Sequence, residues 1–97
     1  MFNLINPSRS KIEDLLGSRA RIKILKILAL NNELNITSII SKTKLNHSNV
    51  SGHLNYLKSC DLVQEKIYGR IKIYRYKNEN VKARALKKFI AVWEDNF

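Results

Sequence analysis

Ninety-seven residues with an apolar share of 44% are enough for one compact domain around a single core. One cysteine excludes an intramolecular disulfide and a Cys-rich zinc site, and no apolar run is long enough to cross a bilayer. Eighteen basic residues against eight acidic ones leave a formal charge of +10, which points to nucleic acid or an acidic surface such as an anionic membrane.

The chain begins Met1-Phe2-Asn3-Leu4-Ile5-Asn6-Pro7, with neither the charged start nor the long apolar run of a signal peptide. An intracellular, cytoplasmic protein is expected. Phe2, Leu4 and Ile5 read as an apolar arm closed by Pro7. Ser10-Lys11-Ile12-Glu13 matches a capping box, while Asn6-Pro7 offers an earlier helix start. Ile12, Leu15 and Leu16 supply an apolar face, and Gly17 ends this first helix. Ser18 is placed to cap a second helix, Arg19 to about Leu30. Its apolar residues Ala20, Ile22, Ile24, Leu25, Ile27, Leu28 and Leu30 spread wider than a one-sided stripe, which predicts a central core helix. Asn31-Asn32 breaks it, and Glu33 to Ile36 reads as a short extended link or strand.

From Thr37, a residue able to cap, a short helix is predicted to Thr43. Lys44-Leu45 makes a turn, and Asn46 can cap a further helix from His47 to Ser59. Val50, Leu54 and Leu57 fall at i, i+4 and i+7, so one side of it faces a core. The other side shows Ser48, Asn49, Ser51, Gly52, Asn55 and Tyr56. No acid occurs between Leu34 and Cys60, whereas Lys42, Lys44 and Lys58 do. A solvated surface helix ordinarily mixes both signs of charge. One rich in Asn and Ser and free of acids suits a phosphate-lined groove, so the stretch reads as a nucleic-acid-binding helix-turn-helix.

Asp61 stands where that helix must end, a place Asp tolerates when the backbone turns left-handed. Leu62–Tyr68 and Ile71–Tyr76 are β-branched and aromatic runs joined through Gly69-Arg70, a hairpin signature. Lys66, Arg70, Lys72, Arg75 and Lys77 lie in this stretch with no acid from Lys66 to Asn78. Outward lysines also protect an ordinary edge hairpin from aggregation. Beside an acid-free helix, however, the hairpin reads as a basic wing. The last segment, 79–97, is helical by period. Val81, Ala85, Leu86, Phe89, Ile90, Val92, Trp93 and Phe97 cover more than half its circumference. A small domain has little core left for so much apolar surface, so a second subunit is its expected cover.

Three stretches resemble a known family. Gly17-Ser18-Arg19-Ala20-Arg21-Ile22-Lys23-Ile24-Leu25-Lys26-Ile27-Leu28 is similar to the second helix of ArsR/MarR-type winged-helix regulators, especially the small archaeal ones. Leu45-Asn46-His47-Ser48-Asn49-Val50-Ser51-Gly52-His53-Leu54-Asn55-Tyr56-Leu57 resembles their recognition helix, and Leu62-Val63, Gly69-Arg70 and Tyr74-Arg75-Tyr76 resemble their wing. The likeness runs from about Ile12 to Asn78. It implies a mainly α fold with a β-hairpin, as one winged helix-turn-helix domain over 1–97. The helix-turn-helix would occupy about 37–59, the wing about 62–77 and a dimerisation helix about 79–97.

That resemblance implies a sequence-specific, double-stranded DNA-binding transcription regulator that works as a homodimer at the nucleoid. The recognition helix would enter the major groove, with the wing on the flanking backbone or minor groove. The expected DNA-facing residues are Thr37, Lys42, Lys44, His47, Ser48, Asn49, Ser51, Gly52, Asn55 and Tyr56, with Arg70, Lys72 and Arg75 from the wing. The expected dimer face is Ile12, Leu15 and Leu16 with Leu86, Phe89, Ile90 and Trp93. Gly52 stands where relatives often carry Arg or Gln, which shifts base reading to Asn49, Ser51 and Asn55. Lys44 and Asp61 replace the usual turn glycines. Metal-sensing relatives use Cys-rich motifs or paired His and carboxylates. This chain has only Cys60, His47 and His53, so neither metal nor cofactor is expected, and Cys60 and His53 are expected to pack.

Three rival functions differ in class. An enzyme would need a phosphate loop, a nucleophile elbow or a metal-ligand spacing, and none is present. A winged helix could instead serve protein contact or general nucleic-acid binding within a larger complex. RNA binding ordinarily shows aromatics on an exposed sheet, for which Tyr68, Tyr74 and Tyr76 are the candidates.

Overall fold

The structure, a computed structural model, describes residues 11–95. The elements are α1 (Ile12–Leu16), α2 (Arg19–Asn31), β1 (Glu33–Asn35), α3 (Ile36–Thr43), α4 (His47–Ser59), β2 (Val63–Tyr68), β3 (Ile71–Tyr76) and α5 (Val81–Glu94). Helix α2 is the hub, packed on by α1, α3, α4, α5, β1 and β3. Ile24, Leu25, Leu28 and Ala29 are its buried residues, while Ile22 and Ile27 are half-buried. Leu30, expected among its core residues, is 59% exposed, whereas Leu28 and Ala29 just before it are buried. Ser18 Oγ accepts the backbone N–H of Arg21, the predicted cap.

Asn32 takes a positive φ of 69° and turns the chain directly into β1. The short link is thus a true strand, and β3 runs antiparallel between β1 and β2. Leu34 and Glu65 flank Tyr74 in register, and Val63 faces Tyr76. The phenol of Tyr76 is buried, and its O–H donates to the Ala83 carbonyl at 2.6 Å, joining sheet to α5. Burial pushes that phenol's pKa up to about 12. The buried apolar residues form one cluster, each large aliphatic in it contributing about 1.5–3 kcal/mol.

Three expected helix starts move. Helix α1 begins at Ile12 with Lys11 in the cap position and no side-chain cap bond. Ser10, Asn6-Pro7 and the Phe2-Leu4-Ile5 arm lie outside the described residues, as does Phe97. Helix α3 begins one residue before Thr37, because Asn35 Oδ1 accepts Ser38 N–H at 2.8 Å and takes the capping role. The terminal helix starts at Val81, with Asn80 Oδ1 accepting from Lys82 and Ala83.

Candidate nucleic-acid interface

The α3–turn–α4 unit is built by short polar side chains. Lys44 closes α3 in the left-handed region, at φ 62° and ψ 24°. Asn46 Oδ1 then accepts Asn49 N–H at 2.8 Å and starts α4 as predicted. Between them Thr43, wholly buried, donates its hydroxyl to Ile39 O at 2.7 Å and accepts from Leu45 N–H at 3.4 Å. Thr43 pins the turn from inside. Nothing in the sequence marked it, since its value depends on the burial of its hydroxyl.

Val50, Leu54 and Leu57 bury the inner side of α4. Outside, Ser48, Gly52 and Asn55 share an exposed edge at i, i+4 and i+7, with His47 and Asn49 exposed beside it and Ser51 half-buried. Thr37, Lys42 and Lys44 are exposed on α3 and the turn. The adjacent stripe, Asn49–His53–Tyr56, turns inward along its length. Arg21 explains this: its guanidinium lies 3.6 Å from the Tyr56 ring centroid, and its Nε donates to His53 Nδ1 at 3.3 Å. The same guanidinium donates to the Asp14 carbonyl at 2.8 Å, so one side chain ties α1, α2 and α4. Tyr56, expected on the DNA side, is therefore half-buried and faces α1 and α5 instead. Burial first, and Arg21 second, hold the His53 pKa below its ordinary 6.5.

The wing's charges sort by position. Near the base, Lys66 pairs with Glu33 at 3.1 Å, Lys77 with Asp61 at 2.6 Å, and Arg75 with Glu79 at 2.8 Å. Arg75 Nε also donates to Gln64 Oε1, so this expected DNA contact is already engaged. The Arg75 guanidinium in turn pulls the exposed Glu79 carboxyl down to about 2. Toward the tip, Arg70 and Lys72 are exposed, and Gly69 supplies the positive φ of 61° that the turn requires. Among the described residues none of Lys42, Lys44, Arg70 and Lys72 forms an ion pair. Three acids from outside the Lys66–Asn78 run, Glu33, Asp61 and Glu79, neutralise the base, and the tip stays positive.

A second surface lies across the molecule. Ile12, Leu16, Phe89 and Trp93 are 60%, 45%, 52% and 74% exposed. Leu15, Leu86 and Ile90, expected beside them, are instead buried in the chain's own core. Between α1 and α5 a cavity of about 540 Å³ is lined by Ile12, Leu16, Tyr56, Cys60, Ala85 and Phe89, among others. Cys60 is buried, as its small side chain suggested. Among the described residues no group of three His, Cys, Asp or Glu could hold a metal ion, and no helix is long and apolar enough to cross a membrane.

A capped helix-turn-helix followed by a hairpin whose tip is basic defines a winged helix-turn-helix DNA-binding domain. Comparison with known proteins agrees. The model of the family described as "Bacterial regulatory protein, arsR family" matches residues 18–65. An HTH-type transcriptional regulator of Methanocaldococcus jannaschii is 33% identical over 66 residues, covering 68% of this chain and 74% of that protein. The chain belongs to the ArsR family of transcriptional regulators, which are not enzymes. Among solved structures, HlyU from Vibrio cholerae superposes with a TM-score of 0.73 at 23% identity, over 84% of this chain and 86% of that one. The homodimeric winged helix-turn-helix DNA-binding domain Mb0332 of Mycobacterium bovis gives 0.70 at 28% identity, over 87% and 75%. The transcriptional repressor PagR of Bacillus anthracis gives 0.70 at 25%, over 86% and 92%.

Proposed function

We propose that the protein is a sequence-specific, double-stranded DNA-binding regulator acting as a homodimer. The observation that carries this reading is the coincidence of an acid-free, amide-bearing outer edge on α4 with unpaired cations at the wing tip. Helix α4 lies in the major groove, where Asn49 and Asn55 pair their carboxamides with base edges and Ser48 and Ser51 assist. Thr37, Lys42, Lys44 and His47 meet phosphates along the first helix and the turn. Arg70 and Lys72 hold the flanking backbone or minor groove. Gly52 leaves a space on that edge, since a Cβ there would touch nothing within 4 Å. A second copy placed by α1 and α5 doubles the contacts and puts the two recognition helices about 34–36 Å apart.

The test is a binding titration against a site selected by the protein from random DNA, with random duplex as competitor. Asn49→Ala should weaken binding to the selected site far more than to random DNA, by about 1–3 kcal/mol of discrimination. Arg70→Ala should weaken both about equally, because a phosphate contact carries no sequence information. Equal losses on both DNAs for Asn49→Ala would overturn the assignment of base reading, and leave a general nucleic-acid-binding module.

A further inference from the structure

The two halves of the interface sit on different elements, and their apolar contacts end early. Leu57, Val63 and Tyr76 are buried at the base of the hairpin. Beyond it Ile67, Tyr68 and Ile71 are 60%, 59% and 55% exposed, so no apolar packing grips the outer wing. Glu65 lies between these zones, directly opposite Tyr74 in the β2–β3 register. One carboxylate oxygen accepts the Tyr74 O–H at 2.6 Å, and the other accepts Lys58 Nζ at 3.1 Å. Lys58 belongs to the last turn of α4, the recognition helix. One carboxylate therefore bridges both strands of the wing to the helix that precedes them. Among the described residues this is the ion pair that joins α4 to the hairpin.

Two features separate this acid from a surface charge. Its side chain is only 17% exposed, and its tyrosine partner is 3% exposed. Its sign is also costly to a DNA-binding element, since it offsets Lys58 and lies near Lys72. A negative charge kept there, and spent on geometry, has a mechanical role. Resting on the DNA-binding reading above, we infer that Glu65 is a positioning residue, whose carboxylate fixes the wing against the recognition helix and so sets which base register and which backbone contacts are reached together.

Glu65→Gln separates this role from charge and from stability. The amide keeps the side chain's size but loses the ion pair with Lys58 and raises the net charge. Electrostatics alone would strengthen binding to every duplex. A positioning role instead lowers the ratio of affinity for the selected site to affinity for random DNA, by roughly three- to thirtyfold. Lys58→Gln should lower that ratio similarly, and the double variant should fall no further than either single one. Melting curves accompany each variant. Should Glu65→Gln fail to fold, Lys58→Gln, whose side chain is 42% exposed, carries the measurement. An unchanged ratio in folded variants overturns the role, including the case where both affinities fall in parallel. A wild-type chain that selects no site at all removes the DNA reading, and this role with it.

Discussion

His53 shows how one side chain on the recognition helix answers to its neighbours. Its Nδ1 accepts from Arg21 Nε, an arrangement open only to the neutral imidazole, and burial and the guanidinium both resist a second positive charge. The folded chain therefore takes up this proton at lower pH than the unfolded chain, whose His53 titrates near 6.5. Stability is intact above 6.5 and falls as pH drops from there through the lowered folded-state value. Glu65 and Asp61 are also lowered from carboxylate values, so their contributions fade at more acid pH. Melting temperatures at pH 7.5 and 5.5 should thus fall more for the wild type than for His53→Gln. Parallel falls would refute the coupling. Gly52 gives a second prediction at this scale. It lies in the interior of α4 with open space around its Cα, so Gly52→Ala should stabilise the fold by about 0.5–1 kcal/mol in urea unfolding.

Elements were legible where their signals are local. Ser18, Asn46 and the Gly69 turn placed α2, α4 and the hairpin, because a cap or a positive φ is a property of a few adjacent residues. Asp61 turned left-handed as its position suggested, at φ 63°. What needed the fold was pairing between distant segments. The extended stretch after Asn32 could be read as a strand, but not that it would lie against β3. The outer edge of α4 followed from periodicity, whereas the inward turn at Tyr56 depends on Arg21, 35 positions earlier in the chain. The run from Lys66 to Asn78 holds no acid, yet its charge is partly balanced in the fold. Glu33, Asp61 and Glu79 reach in from outside it. This sorting predicts unequal salt effects. Arg70→Ala and Lys72→Ala should each make the plot of log K against log salt shallower by up to about 0.9, the weight of one phosphate contact. Lys66→Ala should change it little. A comparable change for Lys66 would mean that its pair with Glu33 opens on DNA.

The whole molecule carries two faces whose chemistry differs. On one side lie amides, serines and unpaired cations. Across the core, α5 keeps Ala83, Leu86 and Ile90 inside and presents Phe89 and Trp93 outside, their rings 5.8 Å apart. The terminal helix thus does two things at once: it folds onto its own domain, and it still leaves an apolar side uncovered. With Ile12 and Leu16 of α1 that side borders a cavity of about 540 Å³, large enough to admit an aromatic side chain of a second copy. Exposed apolar surface of this kind marks an interaction site. A two-fold pairing of α1 and α5 would cover it on both copies at once and leave the recognition helices free. Trp93 is the residue to change, because at 74% exposure its loss removes nothing from the core. Trp93→Glu should leave the melting transition of the monomer fold in place while placing a charge in the interface. Sedimentation should then show a dimer for the wild type at micromolar concentration and a monomer for the variant. Affinity for the selected DNA site should fall with it, although no residue facing DNA has changed. A wild-type monomer under those conditions would refute the pairing, and a dimer that survives Trp93→Glu would move the interface elsewhere.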